Sequence, residues 1–220
     1  MREANVFVRF LFCALGYESD KVATCATFVE FIHTASLLHD DVVDESELRR
    51  GIPSANALFG NASSVLVGDF LYTRAFQMMV SAGNMRILDV LADATNLIAE
   101  GEVLQLMNIR NTDIDEEGYF KVIYAKTAKL FEASSVIGAL VAGAAESEID
   151  AAARFGRALG MAFQLVDDML DYAGDKGVMG KNAGNDLKEG KMTLPLIYLM
   201  KNGSTEQKIS VRKRIEDNDG

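Results

Sequence analysis

The chain has 220 residues, of which 49% are hydrophobic and only two are proline, so it is long enough to bury one substantial globular core. Its formal net charge of −10 argues against a nucleic-acid partner, because an acidic surface repels the phosphate backbone. The longest run of apolar or small residues, 136–145, is shorter than the roughly 20 residues that cross a bilayer. We therefore expect no transmembrane segment.

The two cysteines, Cys13 and Cys25, lie in apolar stretches near the start of the chain. They lack the spacing of metal ligands, so we interpret them as free, buried thiols rather than as a disulfide. Free thiols are typical of a reducing compartment, and the first residues lack the continuous apolar core of a targeting peptide. We therefore expect a cytoplasmic protein.

Apolar residues then recur three and four positions apart over long stretches, which is the period of half-buried helices. The first stretch continues directly into Asp40 and Asp41, and a break at residues 51–53 follows. Strand-type alternation is nearly absent, so the sequence predicts an all-α fold. The predicted helices cover residues 22–39, 54–80, 85–107, 116–142 and 149–172.

Single residues suggest where several of these helices begin and end. Asp113, three residues before Glu116, resembles a capping box that opens the fourth helix, and Gly143 predicts its end. Five glycines between residues 174 and 190 predict an irregular loop. A further helix is predicted from Pro195, because proline suits a first helical turn, and we expect residues 202–220 to form a polar, mobile tail.

Two Asp-Asp-x-x-Asp groups stand at or near the ends of predicted helices. At 3.6 residues per turn, the first and last aspartates of a group project only about 40° apart, so two carboxylates share one face. If the two groups faced each other, the cavity between them would be costly to form unless cations occupied it. The aspartates are Asp40, Asp41 and Asp44 in the first motif, and Asp167, Asp168 and Asp171 in the second motif.

Carboxylates with few histidines and no cysteines nearby are hard oxygen ligands, which select Mg²⁺ and commonly share it with the oxygens of a diphosphate. A Mg²⁺ site therefore implies a phosphorylated ligand. A single motif of this kind would more often be a solvated acidic helix end. Two copies, each preceded by an apolar helical stretch, favour a metal site.

Residues near both motifs suit an anionic ligand. Arg49 and Arg50 follow Asp40 by nine and ten residues and could bind phosphate oxygens in forked geometry. His33 lies seven residues before Asp40, and Gln164 lies seven residues before the last aspartate of the second motif. Helical projection places both on the stripes that carry the carboxylates, although either could be an ordinary buried polar side chain.

The combined segments resemble a known family, the trans-polyprenyl diphosphate synthases. Residues 40–51 (DDVVDESELRRG) are similar to its first aspartate-rich motif, and residues 163–171 (FQLVDDMLD) are similar to its second. The dipeptides Lys126-Thr127 and Gly180-Lys181, followed by GNDL and GKMTLP, also match in order and spacing. Without the resemblance, Lys126 would be interpreted as a lysine that faces solvent.

The resemblance implies an isoprenoid synthase helical bundle around a central cavity, and a prenyltransferase that uses Mg²⁺. Such an enzyme condenses isopentenyl diphosphate with an allylic prenyl diphosphate, head to tail, into a long all-trans polyprenyl diphosphate of the kind used as a quinone side chain. Pyrophosphate departs, and the isopentenyl double bond attacks the resulting allylic cation. The resemblance also implies a homodimer formed through the central helices.

The resemblance assigns these roles to individual residues. The implied metal ligands are Asp40, Asp44 and Asp167, with support from Asp41 and Asp171. The implied ligands of the allylic substrate are Arg49, Lys126, Thr127, Gln164, Lys181 and Lys191. His33 and Arg50 would bind isopentenyl diphosphate. The expected catalytic residues are Asp40, Asp41, Asp44, Lys126, Asp167, Asp168 and Lys191.

Product length in this family is limited by bulky residues just before the first motif. Here those positions are Ala35 and Ser36, which are both small, so the resemblance implies a long product. Helical projection places Ser36 near the stripe of aspartates but Ala35 about 140° away, so the role of Ala35 rests on resemblance alone.

The family also has an upstream Gly-Gly-Lys-Arg-like segment and additional C-terminal helices, which these 220 residues do not contain. We therefore expect a single domain over residues 1–220 that is truncated at both ends. Two other functions stay open: a class I terpene cyclase, which the second Asp-Asp-x-x-Asp motif disfavours, and a noncatalytic subunit of a heteromeric prenyl synthase. Such subunits commonly lose motif aspartates, whereas this chain keeps all of them.

Overall fold

The computed structural model describes residue 13 and residues 21–49, 51–173 and 184–217. Within these ranges the chain is helical apart from turns, loops and a short antiparallel hairpin of β1 (Leu48–Arg49) and β2 (Ile52–Pro53). The all-α prediction is confirmed. The helices are α1 (Lys21–Val43), α2 (Ala55–Phe59), α3 (Asn61–Ala82), α4 (Met85–Met107), α5 (Glu116–Ile123), α6 (Lys129–Ala142), α7 (Glu146–Ala173), α8 (Asn185–Lys188), α9 (Leu194–Asn202) and α10 (Thr205–Asp217).

The long helices pack side by side around the main hydrophobic core. Helix α1 lies along α3, α6 lies along α7, and α4 packs against α6. Completely or almost completely buried side chains fill the space between them, with Phe28 and Ile32 from α1, Met79 from α3, Leu91 from α4 and Ile137 from α6. None of the helices in the described ranges combines the length and the apolarity that crossing a membrane requires.

A second, smaller core joins α5, α9 and α10. The prediction that residues 202–220 form a mobile tail is wrong, because most of that stretch is helix α10. Val211 and Ile215 of α10 are buried against Ile197 of α9 and Tyr119 of α5. Two apolar residues four positions apart are enough to give an otherwise polar helix one buried face.

Several predicted helix ends are displaced by local backbone geometry. The predicted helix over residues 54–80 is two helices, because Gly60 ends α2 with a φ of +83°, which side-chain-bearing residues rarely adopt. Asp115, and not Asp113, caps α5, where its carboxylate accepts a backbone N–H at 2.8 Å. Gly143 ends α6 with a φ of +69°, so that prediction is confirmed.

A π turn, Tyr124–Ala128, interrupts the predicted helix over residues 116–142 and separates α5 from α6. Glycines of two neighbouring helices press against this turn. A Cβ atom on Gly101 of α4 would lie 2.8 Å from the backbone nitrogen of Lys126, and one on Gly160 of α7 would lie 2.6 Å from the last Cα of the turn. Either side chain would collide with the turn, which therefore needs glycine on both sides.

The two thiols differ in exposure, and both are free. Cys25 is buried in the main core, and burial raises the pKa of its thiol to about 11. Cys13 is exposed, so the expectation of two buried thiols is wrong for this residue.

Candidate active site

A cavity of about 400 Å³ opens between α1, α4, the π turn, α7 and the segment that carries α8. The two aspartate motifs line it from α1 and α7, as the sequence predicts. Among the described residues that line the cavity, nine carry carboxyl groups and three are cationic. The carboxyl groups belong to Asp40, Asp41, Asp44, Glu102, Asp167, Asp168, Asp171, Asp186 and Glu189, and the cationic residues are Arg49, Lys126 and Lys191.

The cavity is charged at one end and mostly apolar at the other. Four helical segments each contribute to the cavity wall a pair of one charged residue and one apolar or small residue. The two residues of each pair are one helical turn apart, or about 5.4 Å. The pairs are Asp40 with Ser36, Glu102 with Ile98, Lys126 with Leu130, and Asp167 with Phe163. The smaller or apolar residue precedes the charged one on α1, α4 and α7, whereas Leu130 at the start of α6 follows Lys126 of the π turn. This shape suits a ligand with an anionic head and an apolar tail.

Each aspartate of the first motif is bonded to a different cationic residue. The pairs are Lys126 with Asp40 (Nζ to Oδ1, 2.7 Å), Arg49 with Asp41 (Nη2 to Oδ1, 2.7 Å) and Lys191 with Asp44 (Nζ to Oδ2, 2.9 Å). The hairpin β1–β2 holds Arg49 over α1, and its Nε also lies 2.9 Å from both oxygens of Asp41. These pairs place three positive charges in the wall of the cavity, beside the first motif.

The ammonium group of Lys126 has three acceptors and therefore uses its full hydrogen-bonding capacity. Besides Asp40, it donates to Glu102 Oε2 and Gln105 Oε1, both at 2.8 Å. Burial alone would raise the pKa of Asp40, but Lys126 and the other two cationic residues outweigh it and lower the pKa below its usual value. Burial raises the pKa of Glu102, although Lys126 opposes the shift.

Asp168, the middle aspartate of the second motif, is buried and held by neutral donors. The Tyr119 hydroxyl donates to its Oδ2 and the Gln164 amide to its Oδ1, both at 2.6 Å. Thr127 of the π turn donates in turn to Gln164 Oε1 at 2.8 Å. Burial raises the pKa of Asp168 despite these hydrogen bonds. The network ties the π turn, α5 and α7 together in the wall of the cavity.

The other two aspartates of the second motif differ in their surroundings. Asp167 is exposed to the cavity and has no hydrogen-bond or ion-pair partner among the described residues. Asp171 accepts the backbone N–H groups of Asn185 and Asp186, at 3.2 and 3.1 Å. Burial, followed by the negative charges of Asp171 and Asp168, raises the pKa of Asp186 to about 8.

The donor set fits a divalent cation that the protein shares with a diphosphate. Within the described ranges, no three carboxylate, imidazole or thiol side chains converge closely enough to hold a metal ion by themselves. Mg²⁺ in proteins is usually bound through one or two carboxylates plus substrate phosphates, so a complete protein cage is not required. Burial, with repulsion between neighbouring carboxylates as a smaller cause, raises the pKa values of Asp168, Asp186 and Glu102, and a cation bound beside them would favour their charged forms.

Most of the side chains predicted from the sequence line this one cavity. The predicted residues found there, besides the six motif aspartates, are His33, Ser36, Arg49, Lys126, Thr127, Gln164 and Lys191. Ala35 is completely buried and is not among the lining residues of the described chain. Arg50 and Lys181 lie outside the described residues.

Sequence reasoning missed several polar residues of the cavity. Glu102 and Gln105 follow Ile98 by four and seven positions, on the stripe of α4 that is otherwise apolar, and that spacing was a detectable signal. Asp186 and Glu189 lie in the glycine-rich stretch, where no periodicity exists to assign a face. Tyr119 had no signal, because the π turn breaks the helical period between it and Lys126.

A sequence profile of the polyprenyl synthetase family matches residues 1–220. The chain belongs to the polyprenyl synthetase family. It is 56% identical over 207 residues to the octaprenyl diphosphate synthase of Escherichia coli (strain K12). The alignment covers 94% of this chain and 64% of that protein, so the chain spans less than two thirds of its relative's length.

Solved structures of similar proteins have the same fold as this chain. A decaprenyl diphosphate synthase from Rhodobacter capsulatus superposes with a TM-score of 0.93 at 46% identity, covering 100% of this chain and 67% of that one. A polyprenyl synthase from Caulobacter crescentus, complexed with calcium and isoprenyl diphosphate, superposes with a TM-score of 0.87 at 42% identity, covering 99% and 71%. The predicted isoprenoid synthase bundle is confirmed.

Proposed function

We propose that this chain forms the diphosphate-binding centre of a prenyltransferase that condenses isopentenyl diphosphate with an allylic prenyl diphosphate. One observation carries the proposal: each aspartate of the first motif is paired with a different cationic residue, in a cavity that the second motif also lines. A diphosphate would offer these three cationic residues several acceptor oxygens on one group, whose total negative charge is larger than that of a single carboxylate. The similarity to an octaprenyl diphosphate synthase supports the same reaction class.

Binding would exchange the partners of the charged groups. The Arg49, Lys126 and Lys191 side chains would turn from aspartates to phosphate oxygens of the allylic substrate. Asp40 and Asp44, released by that exchange, would hold Mg²⁺ together with Asp167. Bound there, the ion would supply neutralisation of the charge that develops on the departing pyrophosphate. The relative from Caulobacter crescentus, complexed with calcium and isoprenyl diphosphate, supports the pairing of a divalent cation with a diphosphate.

The apolar end of the cavity would hold the prenyl tail and exclude water from the allylic cation. Ile98, Leu130 and Phe163 line that end, one turn from the charged layer. A cation in a water-filled site would be captured by water before the isopentenyl double bond reached it, so this exclusion is part of the chemistry. His33, two turns from Asp40 on α1, would orient isopentenyl diphosphate together with Arg50.

We further propose that the product is a long all-trans polyprenyl diphosphate. Ser36 lies at the apolar end of the cavity and is small, so it leaves the path of a growing chain open. Ala35 is buried against neighbouring helices and would act only through their packing. Relatives named for octaprenyl and decaprenyl products support the long-chain assignment.

We also propose a homodimer formed through α3 and α4. Large apolar side chains stand one turn apart on both helices and are exposed, with Leu66 and Phe70 at 67% and 66%, and Val103 and Met107 at 57% and 75%. Apolar side chains clustered on the surface in this way mark protein interfaces. Sedimentation equilibrium of the wild type should give the mass of a dimer, and Phe70→Glu should give the mass of a monomer.

Product analysis tests the reaction class. The purified chain would be incubated with farnesyl diphosphate, labelled isopentenyl diphosphate and Mg²⁺, with Asp40→Asn as the control that should lose turnover. Linear polyprenyl diphosphates are the expected products. Cyclic hydrocarbons would indicate a class I terpene cyclase, and turnover only after addition of a second protein would indicate a subunit of a heteromeric synthase.

A further inference from the structure

The segment 184–191 carries Lys191 across the cavity, and we call it the Lys191 segment. It contains the single-turn helix α8 between two glycines with left-handed backbone, Gly184 at a φ of +79° and Gly190 at +72°. A helix of four residues leaves most of its end groups without internal partners and is unstable alone. The position of the segment therefore depends on anchors outside it.

Asp171 provides the anchor at the start of the segment. Its carboxylate Oδ1 accepts the N–H of Asn185 at 3.2 Å, and its Oδ2 accepts the N–H of Asp186 at 3.1 Å. Its backbone carbonyl accepts the N–H of Gly184 at 2.8 Å. One residue of α7 thus satisfies three consecutive N–H groups, which is the role of a helix cap supplied from another helix.

The anchored turn leads directly to the Lys191 ammonium group. Asp186, held by Asp171, accepts the backbone N–H of Lys191 on its own carbonyl at 2.8 Å. The Gly190 carbonyl accepts the N–H of Arg110 at 2.9 Å, which fixes the end of the turn to the loop after α4. Lys191 Nζ then reaches the Oδ2 atom of the last aspartate in the first motif at 2.9 Å. A continuous series of bonds therefore joins the second motif to the first.

We propose that Asp171 is a positioning residue, which anchors the Lys191 segment and so places the Lys191 ammonium beside Asp44. This role differs from that of a supporting metal ligand, which the family resemblance implies for Asp171. The contrast within one motif supports it, because Asp167 on the same helix has no such bond among the described residues. The anchoring does not depend on the proposed function. Only the role of Lys191 as a ligand of a diphosphate rests on that function.

Amide hydrogen exchange in EDTA, without any diphosphate, tests the anchoring directly. Asp171→Asn replaces one acceptor oxygen by an NH₂ group, so the amides of the Lys191 segment should exchange about five- to tenfold faster than in the wild type. Asp167→Asn removes the same charge from the same helix and should leave that exchange unchanged. Unchanged exchange of α3 in both variants shows that the fold is intact. Wild-type exchange of the segment in Asp171→Asn would overturn the proposal.

Gly190→Ala provides a second variant that leaves every aspartate in place. A Cβ atom there would lie 3.0 Å from Cγ of Arg110, on a backbone with a φ of +72°, so the segment should loosen from its other end. In turnover assays, Asp171→Asn and Gly190→Ala should both raise the KM for the allylic diphosphate. At saturating allylic diphosphate, both should keep the wild-type Mg²⁺ concentration at half-maximal rate. A raised Mg²⁺ requirement in Asp171→Asn alone would make Asp171 a metal ligand and reject the proposal. Absence of turnover in the wild type would reject the proposed function, while the exchange result would still decide the anchoring.

Discussion

Lys126→Met would test whether the cationic residues neutralise the cavity in the absence of a ligand. The Lys126 ammonium lies 2.7 Å from Asp40 and 2.8 Å from Glu102, and the three side chains are 19%, 18% and 31% exposed. At an effective dielectric constant of about 20, each contact is worth roughly 6 kcal/mol of Coulomb attraction before the cost of desolvation. Desolvation offsets most of this, and removal of one member of a buried pair typically costs about 3–5 kcal/mol.

Because these side chains keep some contact with water, we expect Lys126→Met to destabilise the metal-free chain by about 3 kcal/mol at pH 7. The measurement is urea denaturation in EDTA, followed by circular dichroism. Lys121→Met is the matched control, because Lys121 pairs with Glu117 at 2.7 Å but both side chains are exposed, at 65% and 76%. That control should change the free energy of unfolding by less than about 0.5 kcal/mol.

The loss should become smaller at pH 5, since Asp40 and Glu102 can take up protons once the ammonium group is absent. If Lys126→Met and Lys121→Met had the same free energy of unfolding at pH 7, Lys126 would not stabilise the carboxylates of the cavity. The charge argument for a cation and a diphosphate in this site would then fail.

Three further changes follow from the same structure. Folding raises the pKa of Asp186 from 3.8 to about 8, so the free energy of unfolding of the metal-free protein should fall as pH rises through that range. Asp186→Asn should remove this pH dependence, which amounts to at most about 1.4 kcal/mol per pH unit in urea titrations. Gly160→Ala would push against Cα of Ala128 and should lower the free energy of unfolding by about 1–3 kcal/mol in the same assay. Ser36→Phe should shorten the product distribution more than Ala35→Phe does, because only Ser36 lines the cavity of the described chain, and an equal or larger effect of Ala35→Phe would reject that ranking.

Local periodicity explains what the sequence alone could predict. The helical period placed His33, Ser36 and Asp40 on one face of α1, and the structure finds all three lining the cavity. The pairing partners could not be found this way, since Lys126 lies 86 residues from Asp40 and Lys191 lies 147 residues from Asp44. Only the packing of distant helices brings these charges together.

The missed elements were those that depend on tertiary packing. The π turn forms where Gly101 and Gly160 let two helices approach the backbone, and a sequence window over residues 116–142 contains neither glycine. Helix α10 has only two buried apolar residues with described side chains, so its pattern is too weak to distinguish it from a polar tail. Its position is fixed by the second core, which assembles residues from three separate helices.

The central claim is that the two aspartate motifs and the cationic residues form one metal-dependent diphosphate site. Its most direct test is calorimetric titration with farnesyl thiodiphosphate, an unreactive allylic analogue. Binding should be at least about tenfold tighter in Mg²⁺ than in EDTA, and Asp40→Asn and Asp167→Asn should each remove that advantage. Binding that is equally tight without Mg²⁺, or that responds to only one of the two motifs, would contradict a single shared site.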